Sequence, residues 1–520
     1  MSTVRILPSL PSVASKRAVS ALALTVGLSM AASSPVRAGD ALASRVRSQM
    51  NDILEARELE GSLTGVHVRN LSDGRTLYSH NGDKLFNPAS NMKLLTSGSA
   101  LWFLGPTYRF RTLVRRDPKM SKGVVDGNLY VEGRGDPTLT TETLFGLVND
   151  VALAGITKIK GDLVLDDMFF DDRSEGPGWE QEIGDHAYNA PVGALSLNFN
   201  TFEARVIPGD KVGEPAKMLF WPPVPSLTGV VTAVTRGAGT PTRLWFGTSR
   251  TDGDGVEVTV RGNIAVDDAL GQTLRKRIHA PTQFMGEALL HFLELRGIQV
   301  KGKLRRGHMD FRGTVPVAAR YSEPLADVIS TLNKYSNNFM AEMILKTVAA
   351  EVEGVPGTWE KGSAVLARFL GEVGVKDGGF VVGNGSGLND VNRVTPEQIT
   401  RVLDAMHRRF DVAPEFIASL ATAGASGTIT GRFNDSVAVS RLRAKTGSLT
   451  GVSALSGYVV TRDEEVLAFS VMMNDYEGRA RDMWGIQDRI GIALASLGRA
   501  DPMARGERAR PEIEAAEPVQ

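Results

Sequence analysis

The chain of 520 residues contains no cysteine. That excludes a disulfide framework and a thiol for lipid attachment. Its charges cancel, with Lys+Arg and Asp+Glu both at 59. Such a balance gives no electrostatic reason to expect nucleic acid or an anionic membrane surface as a partner. The 7 histidines, at 67, 80, 186, 279, 291, 308 and 407, form no H-E-x-x-H and show no close ligand spacing, so no metal is expected. Walker A and dinucleotide fingerprints are also missing, and no cofactor is expected. After the N-terminal region no apolar run approaches the ~18 residues of a membrane helix, so the mature chain is expected to be soluble with no integral span.

What is present begins with a leader-like N-terminus. Lys16 and Arg17 precede an apolar stretch from Ala18 to Ala32, and Val36-Arg37-Ala38 makes a small-residue cleavage site before Gly39. Residues 1–38 therefore read as a signal peptide and predict export to the periplasm. An uncleaved anchor is the alternative, against which the shortness of the run argues. Residues 501–520 are rich in Pro, Glu and Arg, and predict a disordered tail.

A length of 520 implies two or three domains. Val66 and Val68 alternate with polar residues, Ser72-Asp73-Gly74 supplies a turn, and Thr76-Leu77-Tyr78 returns, which predicts a hairpin over 64–80. A helix to about Leu104 follows, ended by Gly105-Pro106. From about 110 to 317 short β-like runs recur between Gly/Pro punctuation, with helical patterns only at 141–155 and 281–296. Helical patterns return at 322–351, 357–373, 396–407 and 412–422. Two strands, 452–460 and 466–473, then flank a turn at Thr461–Glu465, and a helix at about 482–497 follows. The expected organisation is a discontinuous α/β (α+β) domain from 39–110 and 318–500, with helices on an antiparallel sheet. It carries a β-rich insertion, 111–207 with 276–317, and a second inserted module at 208–275.

Ser90 and Lys93 form an S-x-x-K, in Asn87-Pro88-Ala89-Ser90-Asn91-Met92-Lys93. Asn87 suits a helix N-cap and Pro88 the first helical position. The i, i+3 spacing then puts Ser90 and Lys93 on one face. A serine hydroxyl needs an adjacent base to attack, and a lysine serves once burial or neighbouring positive charge lowers its pKa. Taken alone, the pair is equally a helix-start serine and a solvated lysine. Lys445-Thr446-Gly447, on a predicted strand, is as weak alone. A helical S-x-x-K followed by a strand-borne K-T-G is, however, the order that penicillin-recognising serine enzymes require, with an S-x-N between them. Of three S-x-N triplets, Ser79-His80-Asn81 precedes Ser90, and Ser196-Leu197-Asn198 falls in the β-rich stretch, where Ser196 reads as a strand residue. Ser336-Asn337-Asn338 lies between two helical segments; the bland reading of Ser336 is a helix N-cap. Gly383-Asn384-Gly385-Ser386-Gly387 reads as a turn.

Six stretches together, Asn87–Lys93, Gly133–Thr138, Ala190–Asn200, Ser322–Glu342, Asn384–Pro396 and Lys445–Tyr458, resemble the class C low-molecular-mass penicillin-binding proteins. These are the D-alanyl-D-alanine carboxypeptidase/endopeptidases of peptidase family S13. The resemblance implies a penicillin-binding/β-lactamase-like transpeptidase domain that acts on peptidoglycan stem peptides and is acylated by β-lactams. It implies Ser90 as nucleophile, Lys93 as its base, Ser336 as proton shuttle, Asn338 as holder of the substrate amide, and Lys445 as a charge that keeps Lys93 neutral. Thr446, Gly447, Ser448 and Leu449 would line the substrate along the strand edge, with Tyr188 as an aromatic neighbour. The backbone N–H groups of Ser90 and Ser448 would form the oxyanion hole. Many members carry an Asp and an Arg that hold the charged end of a diaminopimelate-type side chain; the corresponding positions here are Ile183 and Asp390, with Asp185 nearby. The rival readings are a serine β-lactamase or esterase with the same motifs, and a non-catalytic cell-wall-binding or β-lactam-sensing protein.

Overall fold

The computed structural model describes residues 35–181, 184–376 and 379–498. The apolar leader, the 501–520 tail and Ile183 lie outside the described residues. Helix α1 (Pro35–Leu54) runs through the Val36-Arg37-Ala38 segment. The described residues from Leu42 to Gly498 form one compact unit.

Six strands make the central sheet: β1 (Leu63–Asn70), β2 (Thr76–His80), β3 (Ala421–Thr422), β4 (Leu442–Leu449), β5 (Val452–Val460) and β6 (Val466–Asn474), in the spatial order β3-β4-β5-β6-β1-β2. Every pair is antiparallel. Side chains alternate between faces along each strand. Ala454 and Tyr458 of β5, with Ala468 and Met472 of β6, join one core. That core is completed by α2 (Met92–Leu104), α3 (Leu325–Tyr335), α4 (Asn338–Glu353), α5 (Trp359–Glu372), α6 (Pro396–Arg408) and α7 (Ala413–Ser419). Leu455, Val459, Leu467, Phe469, Val471 and Met473 point the other way, onto Val46 and Met50 of α1 and onto α8 (Ala480–Ser496). Helices thus cover both faces of an antiparallel sheet.

Between Arg111 and Tyr321 the chain builds four further sheets. A five-stranded one contains 111–116, 129–133, 163–166, 304–306 and 315–321, and a small four-stranded one lies beside it in sequence. A three-stranded sheet joins 217–221, 201–207 and 272–277, and a four-stranded one is centred on Val256–Ala265. Strands 272–277 and 315–321 cross the 275/276 and 317/318 divisions read from composition, because pairing partners, not turn density, decide where a sheet ends.

Candidate active site

Three segments far apart in sequence converge where β4 passes the start of α2. Ser90 sits in a tight turn, Ala89–Asn91, immediately before α2. Asn87 does not cap α2, and Pro88 is not in its first turn. The Asn87 side-chain oxygen accepts from the Ala89 N–H at 2.9 Å, and Ala89 takes φ 44°, so a single 3₁₀ turn, Ala89–Asn91, leads into α2. The turn is held from outside. The Asn474 side chain brackets the Asn87 backbone, accepting from its N–H at 2.8 Å and donating to its C=O at 3.1 Å. Asn91 donates to Ser456 Oγ at 2.7 Å, which pairs with Ser470 Oγ at 2.9 Å. A Cβ on Gly447 would lie 2.8 Å from the Pro88 carbonyl oxygen. Gly447 therefore permits the close approach of β4 to the turn carrying Ser90.

Lys93, one residue into α2, is fully buried. Its Nζ lies 2.9 Å from Ser90 Oγ, and it donates to Asn338 Oδ1 at 2.7 Å and to the Ser386 carbonyl at 2.6 Å. Burial lowers its pKa to about 7, against the opposing pull of the Glu342 carboxylate. Desolvation is the largest cause of that shift. Lys445, also fully buried, is held well below the usual lysine range by burial and by repulsion from Lys93. Its Nζ donates to Ser336 Oγ at 2.7 Å and to the Thr446 carbonyl at 2.8 Å.

Ser336 is the left-handed C-cap of α3 (φ 58°), not an N-cap. Asn337 caps α4 instead, its side chain accepting from Met340 N–H at 3.0 Å, so Asn338 opens the helix. Ser196, read as a strand residue, lies in a loop and donates to the Gly193 carbonyl at 2.7 Å.

Pairing with β3 stops at Ala444, leaving Lys445–Leu449 without a β3 partner. Along that stretch Thr446 Oγ1 donates to Thr428 Oγ1 at 2.8 Å, Ser448 is exposed and Leu449 half-buried. The Tyr188 carbonyl accepts from Asn338 Nδ2 at 3.1 Å, while its exposed ring stacks on His186 with centroids 4.9 Å apart.

Two participants escaped the sequence reading. Ser386 belongs to the Gly-rich stretch read only as a turn; it is a turn, and also a buried wall of the site. Gly385 O accepts from Thr96 Oγ1 at 2.7 Å, and Gly387 packs against Ala89. The glycine run was the available signal. Thr428 lay in no motif, and nothing local marked it.

The sequence pattern of the D-Ala-D-Ala carboxypeptidase 3 (S13) family matches residues 46–490. The chain belongs to that family. An S13 relative, the D-alanyl-D-alanine carboxypeptidase of Actinomadura sp. (strain R39), is 34% identical over 88% of this chain and 86% of its own length. Another, the D-alanyl-D-alanine carboxypeptidase DacB of Haemophilus influenzae, is 28% identical over 80% and 86%. The crystal structure of penicillin binding protein 4 from Haemophilus influenzae matches with TM-score 0.73 and 27% identity, covering 85% of this chain and 97% of that one. The same protein complexed with a β-lactam matches at TM-score 0.68 and 26% identity. The fold is therefore the penicillin-binding one, with extra sheets inserted. Asp390 accepts from Asn87 Nδ2 at 3.0 Å and pairs with Arg393 at 2.6 Å, and both line a cavity of about 470 Å³ with Leu449, Asn389 and Gln181. Asp185 is paired with Lys276 at 2.5 Å.

Proposed function

We propose that this S13 chain is a serine D-alanyl-D-alanine carboxypeptidase/endopeptidase of peptidoglycan stem peptides, acylated by β-lactams through Ser90. The observation that carries the reading is the surrounding of Lys93. A neutral amine there accepts the Ser90 hydroxyl proton on its lone pair while its two N–H groups donate to Asn338 Oδ1 and Ser386 O. Once protonated, its three N–H groups find three acceptors at 2.9, 2.7 and 2.6 Å. Both charge states are hydrogen-bonded, as a base that cycles between them requires.

The steps follow. Ser90 Oγ bonds to the carbonyl carbon of the penultimate D-alanine as its proton passes to Lys93 Nζ. The Ser90 and Ser448 N–H groups would stabilise the oxyanion. The C–N bond then breaks, and the leaving amine takes a proton through the Ser336 hydroxyl. Water attacks the acyl-enzyme by the reverse relay and releases the shortened peptide. Thr446 and Thr428 would meet the substrate carboxylate at the strand edge. The cavity beside Leu449, with Asp390 and Arg393 on its wall, would take the substrate side chain. The charge pair suits an end that carries both signs.

Among the described residues no helix is long and apolar enough to cross a membrane. We infer a periplasmic location from the leader in 1–38. The division into a discontinuous catalytic domain and two inserted modules is likewise our reading, supported by the segregation of the 111–321 strands into their own sheets.

The test is digestion of purified muropeptides, read by mass spectrometry. Loss of terminal D-alanine or of cross-links, abolished by penicillin, is the expected result; muropeptides left intact by untreated enzyme, from a preparation that a fluorescent penicillin does label, would sink the reading. Rapid release of the label would mark a β-lactamase instead.

The Lys93 pKa of about 7 adds a pH dependence. The base works only when neutral, so acylation should be pH-independent well above that value and fall about tenfold per unit well below it. Stopped-flow acylation by a chromogenic cephalosporin checks this. A rate that is flat down to about pH 5, or that rises only near an ordinary lysine pKa of about 10, contradicts it.

A further inference from the structure

The face of α4 that carries Asn338 continues inward through Glu342 and Lys346, at successive spacings of four residues, which stacks them along one side of the helix. Glu342 and Lys346 are both completely buried. Glu342 Oε1 accepts from the Ser386 N–H at 2.8 Å. Its Oε2 accepts from Gly385 N–H at 3.0 Å and from Trp359 Nε1 at 2.8 Å. The carboxylate therefore grips the peptide segment whose carbonyl, Ser386 O, receives a hydrogen from Lys93 at 2.6 Å. Lys346 has its own partners, Asp171 at 2.5 Å and the Arg173 carbonyl at 2.8 Å, and lies 4.1 Å from the Trp359 ring centroid. Asp171 is the hydrogen-bonded counter-charge of Lys346, so Glu342, which faces both lysines, keeps negative charge for Lys93.

We propose that Glu342 is a positioning residue of the S13 reaction: it fixes the Gly385–Ser386 backbone under Lys93 and supplies the counter-charge for the lysinium formed when Ser90 gives up its proton. The inference rests on Lys93 being the base proposed above. A buried carboxylate without a cation is costly, and so is a buried lysinium without an anion. Placing Glu342 within electrostatic reach, yet hydrogen-bonded to backbone, offsets part of the cost of charging Lys93. It does so without Glu342 taking the proton itself. The balance must be intermediate. Burial alone would make Lys93 too weak a base to accept the serine proton, and a direct ion pair would keep it permanently charged. The charged groups facing Lys93 are Glu342 from α4 and Lys445 from β4; those facing Glu342 are Lys93 from α2 and Lys346 from its own helix.

The experiment is the pH profile of β-lactam acylation in three variants, with folding followed by circular dichroism. Glu342→Gln keeps the shape and removes the charge. Its acid limb should move to lower pH by about one unit or more, the effect of losing an opposite charge nearby. Its plateau rate should fall by up to about tenfold, since one unit of lost proton affinity is a factor of ten. A limb at the wild-type pH, with activity reduced only in step with the folded fraction, would mean a purely structural carboxylate and overturn the proposal. Trp359→Phe keeps the carboxylate and removes one of its donors, leaving its charge less neutralised. The limb should then move the opposite way, to higher pH. A limb unmoved or lowered in that variant overturns the proposal even where the Gln variant does not fold. Lys93→Met separates the two readings. It should not acylate; acylation with the wild-type limb would remove Lys93 as base, and with it the premise, whatever Glu342 does.

Discussion

Ser90→Ala is expected to abolish covalent labelling by a fluorescent penicillin and to lower hydrolysis of a D-Ala-D-Ala peptide on the order of 10⁶-fold, the usual consequence of deleting a nucleophile that works with a base as one unit. The structure makes the experiment sharper, because it contains a second serine–lysine contact. Ser336 Oγ is 2.7 Å from Lys445 Nζ, as close as Ser90 Oγ is to Lys93 at 2.9 Å. The two serines differ in their helices. Ser90 precedes the N-terminus of α2, where the helix dipole favours developing negative charge. Ser336 closes the C-terminus of α3, whose dipole opposes negative charge, and only partly offsets this by lying two residues before α4, so the helices favour an anion there less than at Ser90. Ser336→Ala should therefore still label, at a rate lowered roughly 10²–10³-fold through loss of proton delivery. Mass spectrometry of the digested adduct should place the label on the peptide containing Ser90. Labelling that persists in Ser90→Ala, or an adduct mapped to Ser336, would reverse the assignment.

Gly387→Ala should be the most damaging single-methyl change near the site. Gly387 has φ +76°, and a Cβ there would fall 1.8 Å from the Ala89 carbonyl oxygen and 3.0 Å from Met92 Cβ. The first contact is backbone and cannot rotate away. Either the 385–387 segment moves, taking Ser386 O from Lys93, or the Ala89–Asn91 turn moves, taking Ser90 with it. Left-handed strain of about 1–3 kcal/mol and overpacking of about 1–3 kcal/mol together predict a stability loss of about 2–6 kcal/mol. Acylation of the protein that still folds should fall at least about tenfold, since small displacements of reacting groups are costly. Gly374→Ala is the control. It shares a positive φ, +83°, but has nothing within 4 Å of the added carbon, so it should cost only about 1–2 kcal/mol and leave acylation unchanged. Denaturant melts together with labelling rates decide the matter; equal effects of the two substitutions would show that strain, not the Ala89 contact, matters at Gly387.

Much of the architecture followed from local pattern. The alternation of Val66 and Val68 specified a strand because a strand shows its two faces at a period of two, and the apolar runs 452–460 and 466–473 about Thr461–Glu465 read as a hairpin. The helices at 357–373 and 396–407 followed from their apolar period. Where local reading failed, a longer-range contact had intervened. Asn87 has the residue type of an N-cap, but its bonds to Ala89 and Asn474 put it in a turn before the helix. Strands such as Lys217–Trp221 and Gln272–Arg277 carry a weak apolar signal because each pairs with 201–207 and leaves much of one face exposed.

The site divides along the same line. Ser90 and Lys93 were readable because three residues of spacing and a helix start suffice to put them side by side. Lys445, Ser336 and Asn338 were readable as ordered motifs, though not as contacts. Only the tertiary structure could set Lys93 against Asn338 across 245 residues and against Ser386 across 293. It alone buried Lys93 and Lys445 completely, which is what lowers their pKa values. It alone brought in Glu342 and Thr428. Residue type and spacing fix which groups are available, whereas desolvation and charge proximity depend on how many layers of chain close over them, and no local window of sequence contains that.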